Sequence, residues 1–346
     1  MVLAVILTEQ NILGFNPLEE SILALAKQDS SIKLIVFSQV RNSTKQELSA
    51  NISYEILPKN WNNVLVKSFW YSTTLKKLIK SYGITHFWSA DAYKLKNHSV
   101  STAVFADEYF LKDNWFALRR SMAKSSARLL FSEEAFTKII KQKFGNVGAH
   151  FILPQALPIA ETSSHSSPYD VPYFLCYTKG ASKLEVLQLF KAFSFFKRRM
   201  NSSTKLILLT EGIEQTELVD NFQNYKFRGD VHFESNPEKE KLFNLLTNCI
   251  AWINLTPSST PFIPIYLAAQ AAKPVIARAD GLKAEVFGET LAYFDSQETL
   301  AAQMINMYKD ENLRSFFADL GLSIAAQKIN EFQNLALNKL LSNTVH

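Results

Sequence analysis

Short apolar, β-branched runs alternate along this chain with longer stretches whose apolar residues recur at helical spacing. In the first half the runs predict strands at Val2–Leu7, Ile32–Phe37, Tyr54–Leu57, His86–Ser89, Ser101–Phe105, Arg128–Phe131 and Phe151–Leu153. Helical spacing predicts helices at Pro17–Lys27, Val64–Ser81, Ala117–Ser125 and Glu133–Phe144. Strands alternating with helices imply parallel sheets covered by helices on both faces.

The stretch Ala160–Val171 (AETSSHSSPYDV) interrupts this rhythm. It is rich in Ser, carries a Pro and has no apolar period, which marks a linker. After it the alternation restarts with strand Tyr173–Tyr177, helix Lys183–Met200, strand Lys205–Leu209, helix Gln215–Phe222 and strand Val231–Phe233. Helix Lys239–Thr247, strand Cys249–Asn254, helix Ile263–Ala272 and strands Pro274–Ala277 and Ala292–Phe294 follow, and the tail from Glu298 is helical. The expected organisation is an N-terminal Rossmann-like domain over 1–160, a linker over 161–171 and a C-terminal Rossmann-like domain over 172–325. A last helix over 326–346 would return to the first domain. The expected fold class is α/β, two doubly wound parallel-sheet domains facing across a cleft at the carboxyl ends of their strands.

Composition changes this picture little. Phenylalanine is abundant at 26 and glycine scarce at 10 among 346 residues, so few loops can bring bare backbone up to a phosphate. The net charge of +5 is too small and too scattered to imply nucleic acid. Two cysteines, Cys176 and Cys249, lie in apolar runs and suit buried reduced thiols rather than a disulfide framework. No run reaches the length of a membrane helix, and MVLAVIL is too short for a signal peptide. The expected location is the cytoplasm. The helix Val64–Ser81 sets Lys67, Lys76, Lys77 and Lys80 beside Phe69, Trp70 and Leu75, a pattern that suits peripheral contact with a membrane's inner face as well as ordinary core packing.

The run YFLCYTKGASKLEVLQLFKAFSFFKRR (Tyr173–Arg199), a strand, loop and helix, is followed by the strand KLILLTEG (Lys205–Gly212). In both the second half resembles the C-terminal domain of family 4 (group 1) glycosyltransferases, which have the GT-B fold. Val231–Asp295 lies over the signature region, with PVIA and AEV as close matches. In the first half LLFSEEAF (Leu129–Phe136), ILPQALP, WSADAY and VFADEY resemble family stretches more loosely.

The resemblance implies a metal-independent, retaining transfer of a sugar from a nucleotide-diphosphate sugar to a glycan or lipid-linked acceptor. No cofactor is expected. In such a site a basic pair and helix N-termini stabilise the departing diphosphate. The pair falls on Lys183 and on Leu184, which carries no charge; Lys179 in the same loop is the candidate substitute. The family's two glutamates fall on Ser259 and Leu267, and its loop glycines on Thr260 and Phe262. Ser259 and Thr260 keep hydroxyls for a donor sugar or helix cap, whereas Leu267 cannot bond a ribose. The glycine-rich loop of the first domain keeps only Gly14, and the acceptor-side His-Asp pair falls on Ala106 and Asp107, with Asp91 on a second loop. The implied donor side is therefore Gly14, Lys179, Lys183, Thr210, Ser259, Thr260 and Glu285. The acceptor side is Asp91 and Asp107, with Lys183 and Asp107 as the catalytic candidates. Two functions follow: an active transferase with a rewired donor site, or a catalytically inactive relative that serves as a binding or partner subunit for a companion glycosyltransferase.

Overall fold

The computed structural model describes residues 1–7, 13, 16–39, 49–89, 100–106, 127–145, 149–154, 156–157, 167–210, 222, 224–256 and 262–335. The chain divides into two units, the first over Met1–Asn11, Asn16–Ala156 and Asn330–His346, the second over Ile12–Phe15 and Leu157–Ile329. The expected helix Ala117–Ser125 lies outside the described residues, as does Gln215–Phe222 apart from Phe222.

The first unit is a parallel sheet of β1 (Val2–Ile6), β2 (Lys33–Ser38), β3 (Ile52–Ile56), β4 (His86–Ser89), β5 (Ser101–Phe105), β6 (Arg128–Phe131) and β7 (His150–Ile152). Their order is β3-β2-β1-β4-β5-β6-β7. Alternation along β1 shows why this central strand is apolar throughout. Leu3 and Val5 enter one buried cluster with Leu25, Leu34 and Phe332, while Ala4 and Ile6 enter another with Phe37, Trp70 and Phe87. A sheet buried on both faces has no polar side to show. Helix α1 (Pro17–Gln28) is capped by Asn16, whose side chain accepts from the Glu19 N–H at 3.2 Å.

The single helix expected at 64–81 is broken. It runs as α2 (Val64–Phe69), a π-helical turn (Trp70–Thr74) and α3 (Leu75–Tyr82). The break has a local cause: the hydroxyls of Ser72 and Thr73 both donate to the Phe69 carbonyl, at 3.0 and 2.6 Å, and draw it from the regular ladder. Trp70, Tyr71 and Leu75 go into the core, Trp70 edge-on to Phe37 and to Trp61. Helix α4 (Glu134–Phe144) precedes β7.

The second unit is built from β8 (Tyr173–Tyr177), α5 (Lys183–Met200), β9 (Lys205–Thr210), β10 (Val231–Ser235), α6 (Lys239–Asn248), β11 (Trp252–Asn254), α7 (Ile263–Gln270), β12 (Val275–Arg278), α8 (Gly281–Phe287), β13 (Ala292–Phe294), α9 (Gln297–Lys309) and α10 (Glu311–Gln333) up to Ile329, the last residues of α10 belonging to the first unit. Its parallel strands are ordered β10-β9-β8-β11-β12-β13. The chain leaves β8 toward β9 and β10 and returns on the other side of β8 as β11. Adjacent β8 and β11 thus form the point where strand order reverses, the place where open α/β sheets leave a crevice at their carboxyl ends.

All five residues of β8 are buried. Phe174 and Cys176 pack under α5 with Leu189, Phe193 and Phe196, while Tyr173 donates its hydroxyl to the Leu245 carbonyl of α6 at 2.9 Å. The basic run that ends α5 is not uniformly solvated. Lys197 is buried, pairs with Asp230 at 2.9 Å and donates to the Thr204 carbonyl at 3.1 Å, so it pins the helix end to the turns around it. The long helical tail is two helices. Asp310 separates them, its carboxylate accepting from the Leu313 N–H at 2.9 Å and capping α10. Helix α8 is absent from the sequence reading; its seven residues are too few to show a period, and a lysine is among the three it buries.

Candidate functional site

Of the described donor-side candidates, Lys179, Lys183 and Thr210 stand at the carboxyl ends of β8 and β9. After Tyr177 the chain turns through Thr178, whose hydroxyl donates to the Leu209 carbonyl at 3.0 Å and so binds the loop to β9. Gly180 takes φ +74°, a left-handed conformation that a side chain resists. Ser182 then caps α5 in a reciprocal box: its hydroxyl accepts from the Glu185 N–H at 3.3 Å, and Glu185 accepts from the Ser182 N–H at 2.6 Å. Lys183, the first residue of α5, is exposed, and Lys179 in the loop is half-buried. Leu184 beside Lys183 is 64% exposed, an apolar side chain left in water at the helix entry.

Thr210 ends β9 on the same edge. Leu206 and Leu208 face the cluster beneath α5, so Thr210, next in the alternation, points to that face. It is 2% exposed, and its hydroxyl takes no hydrogen-bond partner among the described residues. A buried hydroxyl left unpaired costs about 1–3 kcal/mol, which a ligand oxygen would recover.

Two ion pairs missed by the sequence reading complete this edge. Arg278, the last residue of β12, pairs through its guanidinium with Glu185 in the first turn of α5. Lys283 on α8 is fully buried and donates to the Asp280 carboxylate at 2.6 Å, to the Thr256 carbonyl at 2.8 Å and to the Arg278 carbonyl at 3.4 Å. Burial pulls the Lys283 ammonium below its ordinary pKa, and the Asp280 carboxylate works against that. Asp280 also caps α8, accepting from the Lys283 N–H at 2.8 Å. Past β11 the Asn254 side chain accepts from both the N–H and the hydroxyl of Thr256, at 3.0 and 2.6 Å. The Asp-x-x-Lys spacing within RADGLKAEV was the one available signal of this arrangement. Glu285, further along α8, is exposed.

The positions aligned with ribose-binding and glycine residues are packed. Leu267 is fully buried on α7, and Phe262 is buried with its ring edge-on to Phe287 at 5.2 Å. Tyr266 lies 5.1 Å from the same ring. No polar side chain stands at either position.

Gly14, Asp91, Asp107, Ser259 and Thr260 lie outside the described residues. Ala106, which precedes Asp107, is buried at the carboxyl end of β5. His86 is a buried strand residue whose Nδ1 meets the Thr85 hydroxyl at 2.9 Å. Both cysteines are buried and unpaired by disulfide, and burial drives the Cys249 thiol up to about 12, which keeps it protonated and inert.

A different surface occupies α2 and α3. Val64, Leu65 and Phe69 are exposed, Phe69 at 65%, and Ile56 at the end of β3 is exposed as well. Leu65, Phe69, Lys76 and Lys80 recur at about helical spacing on the outer side, and the Lys67 ammonium lies over the Trp61 ring at 5.4 Å. The rings expected in the core therefore divide, with Trp70 inside and Phe69 outside. Among the described residues no helix is long and apolar enough to cross a membrane.

No protein-family model matches the chain, and no curated protein matches it. Solved structures do. A glycosyltransferase from Rickettsia africae aligns over 99% of this chain and 97% of its own at a TM-score of 0.71 and 14% identity. WaaG, a glycosyltransferase involved in lipopolysaccharide biosynthesis, aligns over 99% and 98% at 0.68 and 12%. Anabaena HepE in complex with UDP-glucose aligns over 100% and 99% at 0.70 and 13%. The class is thereby defined: an α/β protein of two parallel-sheet Rossmann-like units. In particular, the chain has the GT-B fold of these glycosyltransferases along its whole length.

Proposed function

We propose that this protein transfers a sugar from a nucleotide-diphosphate sugar to a glycan or lipid-linked acceptor, with retention and without a metal ion. The observation that carries the reading is the edge where β8 and β9 end, with Lys179, Lys183 and the unpartnered Thr210 hydroxyl beside the first turn of α5. Cations and a helix N-terminus at one place suit the negative charge that builds on a departing diphosphate. The neighbour HepE, which holds UDP-glucose, has the same fold. Leu267 and Phe262 leave ribose and sugar recognition to other groups, among them the candidate hydroxyls of Ser259 and Thr260. Asp107 and Asp91 are the acceptor-side candidates. The exposed apolar residues of α2, flanked by Lys67, Lys76 and Lys80, suit peripheral contact with an anionic membrane that presents a lipid-linked acceptor.

A single panel tests this reading: purified protein with UDP-, GDP- and ADP-linked sugars, assayed for release of the nucleoside diphosphate in the presence of a lipid or glycan acceptor. Turnover of one donor, abolished in Lys183→Ala, supports it. Absence of turnover with every donor, together with stable capture of a companion glycosyltransferase, supports the second reading, a catalytically inactive partner subunit. That alternative is favoured by one observation, the burial of Leu267 where a polar group would meet ribose.

A further inference from the structure

We infer that Arg278 is an anion-binding residue of this donor edge, presenting its guanidinium to the phosphates of a nucleoside diphosphate; the inference rests on the nucleotide-sugar reading above. Arg278 follows Ile276 in the alternation of β12, and Ile276 belongs to the cluster beneath α5. The side chain therefore leaves the strand end on the face that α5 covers. It reaches the first turn of that helix, where Nη1 meets the Glu185 carboxylate. Glu185 is itself fixed, because its other oxygen accepts from the Ser182 N–H at 2.6 Å. One end of the guanidinium is thus held by a carboxylate that the helix cap keeps in place.

Glu185 occupies one corner of a five-donor fork. Among the described residues the guanidinium makes no other hydrogen bond, which leaves Nε and Nη2 to a ligand. The Arg278 side chain is 41% exposed against 14% for Glu185, so the inner partner holds the outer one toward solvent. Lys283 cannot serve in its place, since its buried ammonium already meets three oxygens.

A second observation points independently to a ligand here. The Thr210 hydroxyl, buried and without a partner among the described residues, ends β9 on the same face and the same edge. Strands β9 and β12 are three positions apart in the sheet, about 14 Å at ordinary strand spacing, a span that an extended nucleotide sugar covers. The Arg278–Glu185 pair is neutral as a unit. Attraction for a phosphate comes from Lys179, Lys183 and the α5 dipole, while the planar fork supplies directional, charge-assisted bonds. In this arrangement a guanidinium from β12 supplies the directional hydrogen bonds that the exposed Leu184 cannot make.

The test is isothermal titration of the full chain with UDP, GDP, ADP and CDP, the matching nucleosides, and inorganic diphosphate. Wild type is compared with Arg278→Ala, Arg278→Lys and Glu185→Gln, each first checked by thermal unfolding without ligand. Losing a charge-assisted contact should weaken the selected nucleoside diphosphate about 10- to 100-fold in Arg278→Ala and leave its nucleoside unchanged. Arg278→Lys should recover only part of the loss, and Glu185→Gln, which frees the fork, should weaken binding severalfold. Unchanged diphosphate affinity in Arg278→Ala overturns the inference. If that variant does not fold, unchanged affinity in both Arg278→Lys and Glu185→Gln overturns it instead. If wild type binds inorganic diphosphate in an Arg278-dependent way but no nucleotide, the nucleotide-sugar reading fails and the anion site stands. If it binds neither, both fail.

Discussion

Lys283 and Asp280 form a buried ion pair, Nζ to Oδ2 at 2.6 Å, that ties the ends of β11 and β12 to the first turn of α8. The lysine reaches the carbonyls of Thr256 and Arg278 from beneath, so three segments of the carboxyl edge depend on one ammonium. Asp280 meanwhile caps the helix that carries its partner.

Removing that ammonium strands a carboxylate and two carbonyls. Lys283→Ala is expected to destabilise the protein by about 3 kcal/mol, the low end for breaking a buried pair because Asp280 keeps some contact with water. Lys283→Met, which restores volume but no donor, is expected to recover less than half of this. Denaturant unfolding of the three proteins, followed by fluorescence of the buried Trp252, measures it.

Lys183 stands exposed at the first position of α5, where it takes no part in the core. Lys183→Ala is therefore expected to leave the unfolding midpoint within about 0.5 kcal/mol of wild type. Donor turnover is expected to fall about 10- to 100-fold, the effect of one lost charge-assisted contact to phosphate. A variant with full turnover would remove Lys183 from the mechanism.

Phe69 and Leu65 are exposed apolar residues flanked by lysines. The double change Leu65→Ser, Phe69→Ser is expected to reduce sedimentation with vesicles containing anionic lipid while leaving the fold unchanged. Binding to purely zwitterionic vesicles should be weak in both proteins, because the lysine contribution vanishes there. Equal sedimentation of variant and wild type would refute a membrane role for this face.

His232 carries a pH prediction. Burial, helped by Lys205, holds its imidazole below the ordinary 6.5, while Glu234 and Asp230 act in the other direction. The unfolded chain takes up a proton near 6.5 and the folded chain resists it until lower pH. The contribution is thus complete above about 6.5 and is lost as pH falls through the folded value. Wild type should lose more stability than His232→Leu between about pH 7.5 and pH 5.5, as read from denaturant midpoints.

Much of the fold was legible in the residue pattern. The strand Tyr173–Tyr177 agrees with the structure at both ends because all five of its residues are buried and a strand covered on both faces reads as a continuous apolar run. The π-helical turn at Trp70–Thr74 was not, since it depends on which carbonyl two hydroxyls choose, and apolar spacing is blind to that choice. Helix α8 escaped as well. Its seven residues are too few to show a period, and the buried Lys283 between Leu282 and Phe287 breaks the apolar pattern.

The candidate site divides along the same line. By itself the sequence determined two α/β halves, Lys179 and Lys183 ahead of a long capped helix, and apolar residues at Phe262 and Leu267, all local facts of spacing and residue type. Only the tertiary structure decided that Arg278 meets Glu185, 93 residues away in the chain, and that Lys283 is buried against Thr256. Parallel strands are joined by long crossovers, so side chains distant in sequence become neighbours at the sheet's edge, where burial and charge, rather than local pattern, select the partner.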